Sequence, residues 1–384
     1  MMKSPSKIYL LMMALVASFL LASCGIVGGG TTTVKIGLLS PQTGPIAVYA
    51  PGFEDAANVA VSGLNEANDD YVFELIVVDS GCDGTQAATS AQSLIDSGVV
   101  GIVGAACSGA TLGAIAVAAP AGVPMVSYAS TSPAISTADD DGYLFRVVPS
   151  DAQQSVALAD VVKSMGDSNP AVLFMTNDYG AGLGENFKAA MGSLCTEIGY
   201  DPTEGSYDAS TLAQAVVDGG CDSVVLISYA TDGAAIMEEL LSQGFSGSLY
   251  GADGLADAAL TQSFTDVAAV DGLVATKPRP GESSTAKSSF ETAYAAAGGN
   301  AEGIYTNETF DAVNLVAAAV MADSNDDLRD DLVSLGSSYD GASGVHTFDS
   351  NGDVQGTGYE ICEFSGANFS CSKIWTASGG VSGK

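Results

Sequence analysis

The chain is 384 residues long and 47% hydrophobic, enough for two domains of ordinary size with well-formed cores. Its 12 Lys+Arg stand against 45 Asp+Glu, a formal net charge of −33. Phosphate neutralisation needs basic patches, so nucleic acid binding is excluded, and the acidity fits solubility in high salt, where screening tames self-repulsion.

At the N-terminus, Lys3 and Lys7 precede an apolar run from Ile8 to Leu21. This reads as the n-region and h-region of a secretory signal, too short for a comfortable membrane span. The run ends in Leu21-Ala22-Ser23-Cys24-Gly25, which resembles the bacterial lipobox. That resemblance implies that residues 1–23 are removed, that Cys24 is lipidated, and that residues 24–33 form a flexible tether. The mature chain is then expected outside the cytoplasm, held to a membrane by lipid, in the periplasm or on the outer face of the cytoplasmic membrane.

From Val34 onward short β-rich runs alternate with Ala-rich helical ones. VKIGLLS reads as a strand, Pro51–Asn68 as a helix, Phe73–Ser80 as a strand, and the stretch through Ala87 to Ile95 as a helix. VGIVGA, a helix and PMVSYA follow. A second series begins after Pro149: helix Asp151–Met165, strand Ala171–Asp178, helix Gly184–Ile198, strand Ser223–Tyr229, a helix to Gln243, and strand Ser248–Asp253. Strands apolar on both faces and alternating with helices predict an α/β fold of two doubly wound parallel-sheet lobes with a cleft between them. Ligands in such folds bind beyond the carboxyl ends of the strands. The tail, GYEICEFS-GAN-FSCSKIWT, reads as a hairpin.

Six cysteines remain beyond Cys24: Cys82, Cys107, Cys195, Cys221, Cys362 and Cys371. In an oxidising compartment an even number reads as disulfides. Proximity in sequence favours Cys82–Cys107, Cys195–Cys221 and Cys362–Cys371. A zinc site is discounted, since there is no CxxC and only one histidine.

The stretch GIVGAACSGATLGAI, Gly101–Ile115, sets Cys107 and Ser108 on a strand-to-helix turn, as a nucleophile would sit. A serine hydrolase needs a base, however, and the only histidine is His346, far along the chain. Ser108 has another use: a helix N-terminus with a hydroxyl stabilises a carboxylate, although a plain cap serving its own helix would look the same. The equivalent turn after the next strand, Ser130-Thr131-Ser132-Pro133, is also rich in hydroxyls, and two such turns can grip one carboxylate.

TGPIAVYAPGFEDAA, DSGCDGTQA, GAACSGAT, PMVSYASTSP, NDYGAGL, YGADGL and FDSNGD, taken in order, make the chain from Val34 to its end similar to the leucine/isoleucine/valine-binding proteins, amino-acid receptors of ABC importers. The Cys82–Cys107 spacing also resembles that family's disulfide. The resemblance implies a type I periplasmic binding protein that acts as a monomer, with an amino-acid ligand, a membrane permease as partner, and no cofactor or metal. Ser108 and Thr131 would hold the ligand carboxylate, and the carbonyl of Ser130 would accept from its ammonium. Asp253 would be the acidic ammonium partner, where the family commonly has glutamate. Tyr179 and Tyr229 would close over the ligand, Tyr49 would line the side-chain pocket in place of tryptophan, and Cys107 would add wall. Tyr49 brings a hydroxyl that wants a partner, so larger or polar side chains become admissible. The implied lobes are residues 34–149 with 277–347, and 150–276 with 348–384, with hinge crossings near Pro149, Thr276–Lys277 and Thr347–Asp349. A receptor for an amide, urea or small carboxylate is the alternative within the same fold.

Overall fold

The computed structural model describes residues 31–384 except 204, 282–283, 301–302 and 323–326. The signal segment and Cys24 lie outside the described residues. Thr32 and Thr33, expected at the end of a tether, belong instead to β1 (Thr32–Ser40), and the Thr32 N–H donates to the carbonyl of Asp70 at 2.8 Å.

After β1 come α1 (Ala50–Ala67), β2 (Tyr71–Asp79), α2 (Gly84–Asp96), β3 (Gly101–Val103), α3 (Ser108–Ala118), β4 (Met125–Ser127) and β5 (Leu144–Arg146). They build a five-stranded sheet, ordered β2-β1-β3-β4-β5 and parallel throughout. Every residue of β3, β4 and β5 is buried, as strands covered on both faces by helices must be. Helices α2 and α3 meet backbone to backbone: a Cβ added at Gly113 would stand 2.1 Å from the Gly84 carbonyl oxygen. Just before these two helices the Cys82–Cys107 disulfide joins the chain ends, with Cα atoms 5.3 Å apart.

The second series runs α4 (Asp151–Met165), β6 (Pro170–Met175), α5 (Asp178–Met191), β7 (Thr196–Tyr200), α6 (Ala209–Gly219), β8 (Ser223–Ile227), α7 (Ala230–Ser242), β9 (Ser248–Gly251) and β10 (Leu273–Pro278). The chain then returns to the first sheet with α8 (Thr285–Ala296), α9 (Thr306–Ala322) and α10 (Leu328–Leu335), of which α9 packs on α1 and β3. Short β11 (Tyr339–Asp340) and β12 (Val345–His346) precede β13 (Tyr359–Ser365), β14 (Asn368–Thr376) and β15 (Gly380–Gly383). The second sheet has eight strands, ordered β15-β14-β13-β10-β9-β8-β6-β7. Its β7 to β10 half is parallel, and β13, β14 and β15 add an antiparallel flank.

The expected tail hairpin is present, with Cys362 and Cys371 facing each other in register and bonded, and Cys195–Cys221 is bonded as well. Two expected elements are corrected. The strand expected to reach Asp178 stops at Met175, because the Asn177 side chain caps α5 by accepting from the Gly180 N–H at 2.9 Å. The helix expected over Gly184–Ile198 therefore begins earlier and ends at Met191, where Gly192 turns the chain at φ 89°. Residues Thr196–Ile198 instead open β7, paired in parallel with β6.

Candidate functional site

The carboxyl ends of both sheets face one another across a cavity of about 360 Å³, counting the space open to solvent at its mouth. From the first sheet come Ile46, Tyr49 and Phe53 after β1, Ala106 and Ser108 after β3, and Ala129 after β4. The second sheet contributes Tyr179 after β6, Tyr229 after β8, and Asp253 with Gly254 after β9. Ile304 and Tyr305, just before α9, complete the lining. Each position follows a strand or opens a helix, where main-chain groups and polar side chains are free to point outward.

On the first side, Ser108 is the first residue of α3, and Cys107 precedes it as the capping position without a side-chain hydrogen bond. The helix therefore offers its N-terminal N–H groups and the Ser108 hydroxyl to the cavity. Ser108 Oγ accepts from the Ser132 N–H at 3.2 Å, which ties the two hydroxyl-rich turns together. Arg146 holds the second turn from behind. It is fully buried, donates from Nη1 to the carbonyls of Ser130 (3.2 Å) and Ser132 (2.9 Å), and forms a forked pair with Asp353 at 2.6 and 2.9 Å.

On the second side, Asp253 is 3% exposed and receives two phenol hydroxyls. Tyr179 donates to Oδ1 at 2.7 Å, and Tyr305 donates to Oδ2 at 2.6 Å. Burial pushes the Asp253 carboxyl up from its ordinary value, and the two phenols hold it back. Tyr179 stacks on Tyr229, with centroids 5.2 Å apart and planes 9° from parallel. Asp232 fixes Tyr229 by accepting from its N–H at 3.1 Å, and also accepts from the Tyr200 hydroxyl. Burial raises Asp232 from 3.8 to about 7.

The two sides touch directly. Tyr49 Oη donates to the Gly254 carbonyl at 3.2 Å, Ser132 Oγ to the Asp178 carbonyl at 2.6 Å, and Thr231 N–H and Oγ to the Pro45 carbonyl at 3.2 and 3.1 Å. Gly254 packs closely within its own side: a Cβ there would lie 2.5 Å from the Ser228 carbonyl oxygen, at the neighbouring strand end.

Residues 33–362 match the model of the family described as periplasmic binding proteins. The chain belongs to that family. It is 25% identical over 340 residues to the leucine-, isoleucine-, valine-, threonine- and alanine-binding protein of Pseudomonas aeruginosa, covering 86% of this chain and 90% of that one. It is 29% identical to the Leu/Ile/Val-binding protein homolog 3 of Brucella melitensis over 62% of this chain and 65% of that protein, just under two thirds of its length. The branched-chain amino acid transporter substrate-binding protein LivJ of Streptococcus pneumoniae, solved with isoleucine, superposes with a TM-score of 0.81 at 22% identity, over 90% of this chain and 100% of that one. These three relatives carry names of branched-chain amino-acid binding, the Pseudomonas protein with threonine and alanine as well, and this periplasmic binding protein has the two-lobed cleft of their fold.

Of the positions singled out from sequence, this periplasmic binding protein brings Tyr49, Ser108, Tyr179, Tyr229 and Asp253 together around the cavity. Cys107, Ser130 and Thr131 do not line it. Ser130 turns inward: its hydroxyl meets Thr111 Oγ1 at 2.7 Å and its carbonyl already accepts from Arg146, so Ala129 is the turn residue on the cavity wall. Thr131 is 1% exposed, and its hydroxyl has no hydrogen-bond partner. The Tyr49 hydroxyl finds its partner in Gly254. Tyr305 escaped the sequence reading because it lies in the third return of the chain, before a helix the pattern did not mark; its φ of 56° is costly for a non-glycine residue and aims the phenol at Asp253. Asp151 was legible only as a helix start. It is fully buried with both carboxylate oxygens unpartnered, and burial, then the Asp253 charge, push it well up. His346, the only histidine, is engaged elsewhere, with Nε2 3.0 Å from Asp311 Oδ2 and 2.9 Å from Ser343 Oγ.

Proposed function

We propose that this chain is the extracytoplasmic substrate-binding lipoprotein of an ABC importer, and that it binds an aliphatic α-amino acid between its lobes. One observation carries the reading: a cavity with a helix N-terminus and Ser108 on one side, buried Asp253 on the other, and Ile46, Phe53, Ala106, Ala129 and Ile304 between them. The ligand carboxylate lies at Ser108 and the first turn of α3, with the orphan Thr131 hydroxyl behind. Its ammonium meets Asp253, and its side chain meets the apolar wall. Because the Tyr49 hydroxyl is spent on Gly254, the ring offers its apolar face, which favours branched aliphatic side chains over polar ones.

The lobes proposed are residues 34–149 with 277–347, and 150–276 with 348–384, although β10 carries the second sheet on to Pro278. A ligand gripped from both sides favours the closed arrangement, and a membrane permease would read that closed form. Cys24 would carry the lipid, and the protein works as a monomer. No hydrolytic role is proposed, since the histidine a serine nucleophile would need is held by Asp311 and Ser343.

Thermal unfolding with a panel of leucine, isoleucine, valine, acetamide, urea, acetate and benzoate, at low and high salt, tests the proposal. The branched amino acids should stabilise by about 4 kcal/mol at a thousandfold excess over Kd. Stabilisation by amides or simple carboxylates with no response to any amino acid would sink it. Tyr49→Phe removes one bond between the lobes and should weaken leucine binding about three- to tenfold in calorimetry, the worth of roughly one hydrogen bond. An unchanged affinity would show that this bond does not hold the cleft shut.

A further inference from the structure

A second cavity, enclosing about 550 Å³ of space between atoms, lies behind the cleft where the lobes join. Its walls come from both lobes: Lys277 and Glu360 on β10 and β13 of the second sheet, Lys287 on α8, and Asn307 and Glu308 in the first turn of α9. Ile304 and Tyr305 line both this cavity and the cleft, so the two share a wall.

Its chemistry is unlike the rest of the molecule. A chain with only 12 Lys+Arg places Lys277, Lys287 and Lys384 around one hollow, together with Glu291, Glu308 and Glu360. Glu360 is 4% exposed and pairs with Lys277 at 3.7 Å and Lys384 at 2.6 Å. Lys287 Nζ donates only weakly to the Gly281 carbonyl, at 3.4 Å. Asn307, on the wall of the same cavity, is 6% exposed and its Oδ1 is buried without a hydrogen-bond partner. Glu308, 7% exposed, stands beside it, and burial raises its carboxyl to about 7. A buried acceptor left unpaired is costly, and the natural remedy is a donor supplied by something in the cavity.

Lys277 and Lys384 already share Glu360, so a simple anion would be drawn mainly to Lys287 and be repelled by Glu291, Glu308 and Asn307 Oδ1. A simple cation would do the reverse. A small molecule carrying both charges satisfies both sets. We propose that this hinge cavity is a second ligand site, for a small zwitterion that bears a carboxylate and an N–H-donating ammonium. The carboxylate lies toward Lys287 and Lys384, and the ammonium donates to Asn307 Oδ1 and Glu308.

Glycine, the smallest such molecule, is the probe. Titrated into the 15N-labelled full chain, it should give saturable millimolar shifts at the Asn307 side-chain amide and the Gly303 backbone amide. The shifts should persist in Asp253→Ala, whose cleft is disabled, so the outcome does not depend on what the cleft binds. Asn307→Leu, followed at Gly303, should abolish the response. Lys287→Met should weaken it at least tenfold, and near-UV circular dichroism should confirm both folds. Glycine betaine, which has no N–H, and sodium acetate or ammonium chloride at the same concentration should give no saturable shift. Equal shifts with either salt would reduce the cavity to a simple ion site, and equal shifts with betaine would remove the donor requirement. Loss of the response in Asp253→Ala would assign it to the cleft. Each of these results would overturn the proposal.

Discussion

Replacing Asp253 by alanine is expected to raise the dissociation constant for leucine at least a hundredfold, with little dependence on salt. The carboxylate is 3% exposed, so the ligand ammonium would meet it with little solvent between them. Losing one partner of a desolvated charge pair typically costs 2–5 kcal/mol, much of it the penalty on the group left behind. Asp253→Asn separates charge from shape. The amide oxygen can still accept from Tyr179, so the cleft keeps its form, yet the loss of affinity should approach that of alanine. The pH dependence follows from the same burial. In the empty cleft Asp253 has its pKa raised by desolvation, and the ligand ammonium favours the ionised form. Leucine affinity should therefore fall as pH drops through that raised value, approaching tenfold per pH unit, and Asp253→Asn should flatten the profile. Calorimetry from pH 5 to 8 reads both effects. A hundredfold loss in alanine with none in asparagine would mean that Asp253 acts by shape rather than charge.

Asp232→Asn is expected to stabilise the protein at pH 8 by roughly 4 kcal/mol while leaving it nearly unchanged near pH 4. Burial raises this carboxyl from 3.8 to about 7, so between those values the unfolded chain is ionised while the folded chain keeps its proton. The native state then binds more protons than the unfolded one, and stability is lost as pH rises through that window. Above about pH 7 the folded group ionises too and the loss levels off. Asparagine has no proton to lose, yet its oxygen still accepts from the Tyr229 N–H and its amide can face the Tyr200 hydroxyl. Denaturant titrations of the two proteins at pH 4, 6 and 8 measure the difference directly. A gap that stayed constant with pH would show that ionisation of Asp232 is not its origin.

Much of this architecture is legible in the sequence, because buried parallel strands must be apolar on both faces. AVLFM and SVVLI announce themselves, and helix Asp151–Met165 has the bounds read from its pattern. Strand β7 was missed because Thr196–Tyr200 is only half buried, so it lacks that signature, and nothing local separates it from a helix tail. Ser108 is legible from its place after a strand, whereas Tyr49, Tyr179, Tyr229 and Asp253 are named only through the resemblance of their motifs; all five line the cavity. Ser130 does not line the cavity while Ala129 does, and the Ser130 carbonyl is held by Arg146, 16 residues further along the chain, a tertiary contact that no local pattern encodes. Tyr305 and Asp151 owe their place to tertiary packing, Tyr305 through a left-handed backbone and Asp151 through complete burial. No local pattern encodes either.

The three disulfides close loops with sequence separations of 25, 26 and 9 residues. The first lies within the five-stranded side, and the other two lie within the eight-stranded side. Among the described residues each disulfide thus removes freedom inside one side, and none bridges the two. Oxidation can strengthen each side against unfolding without entering the balance between open and shut.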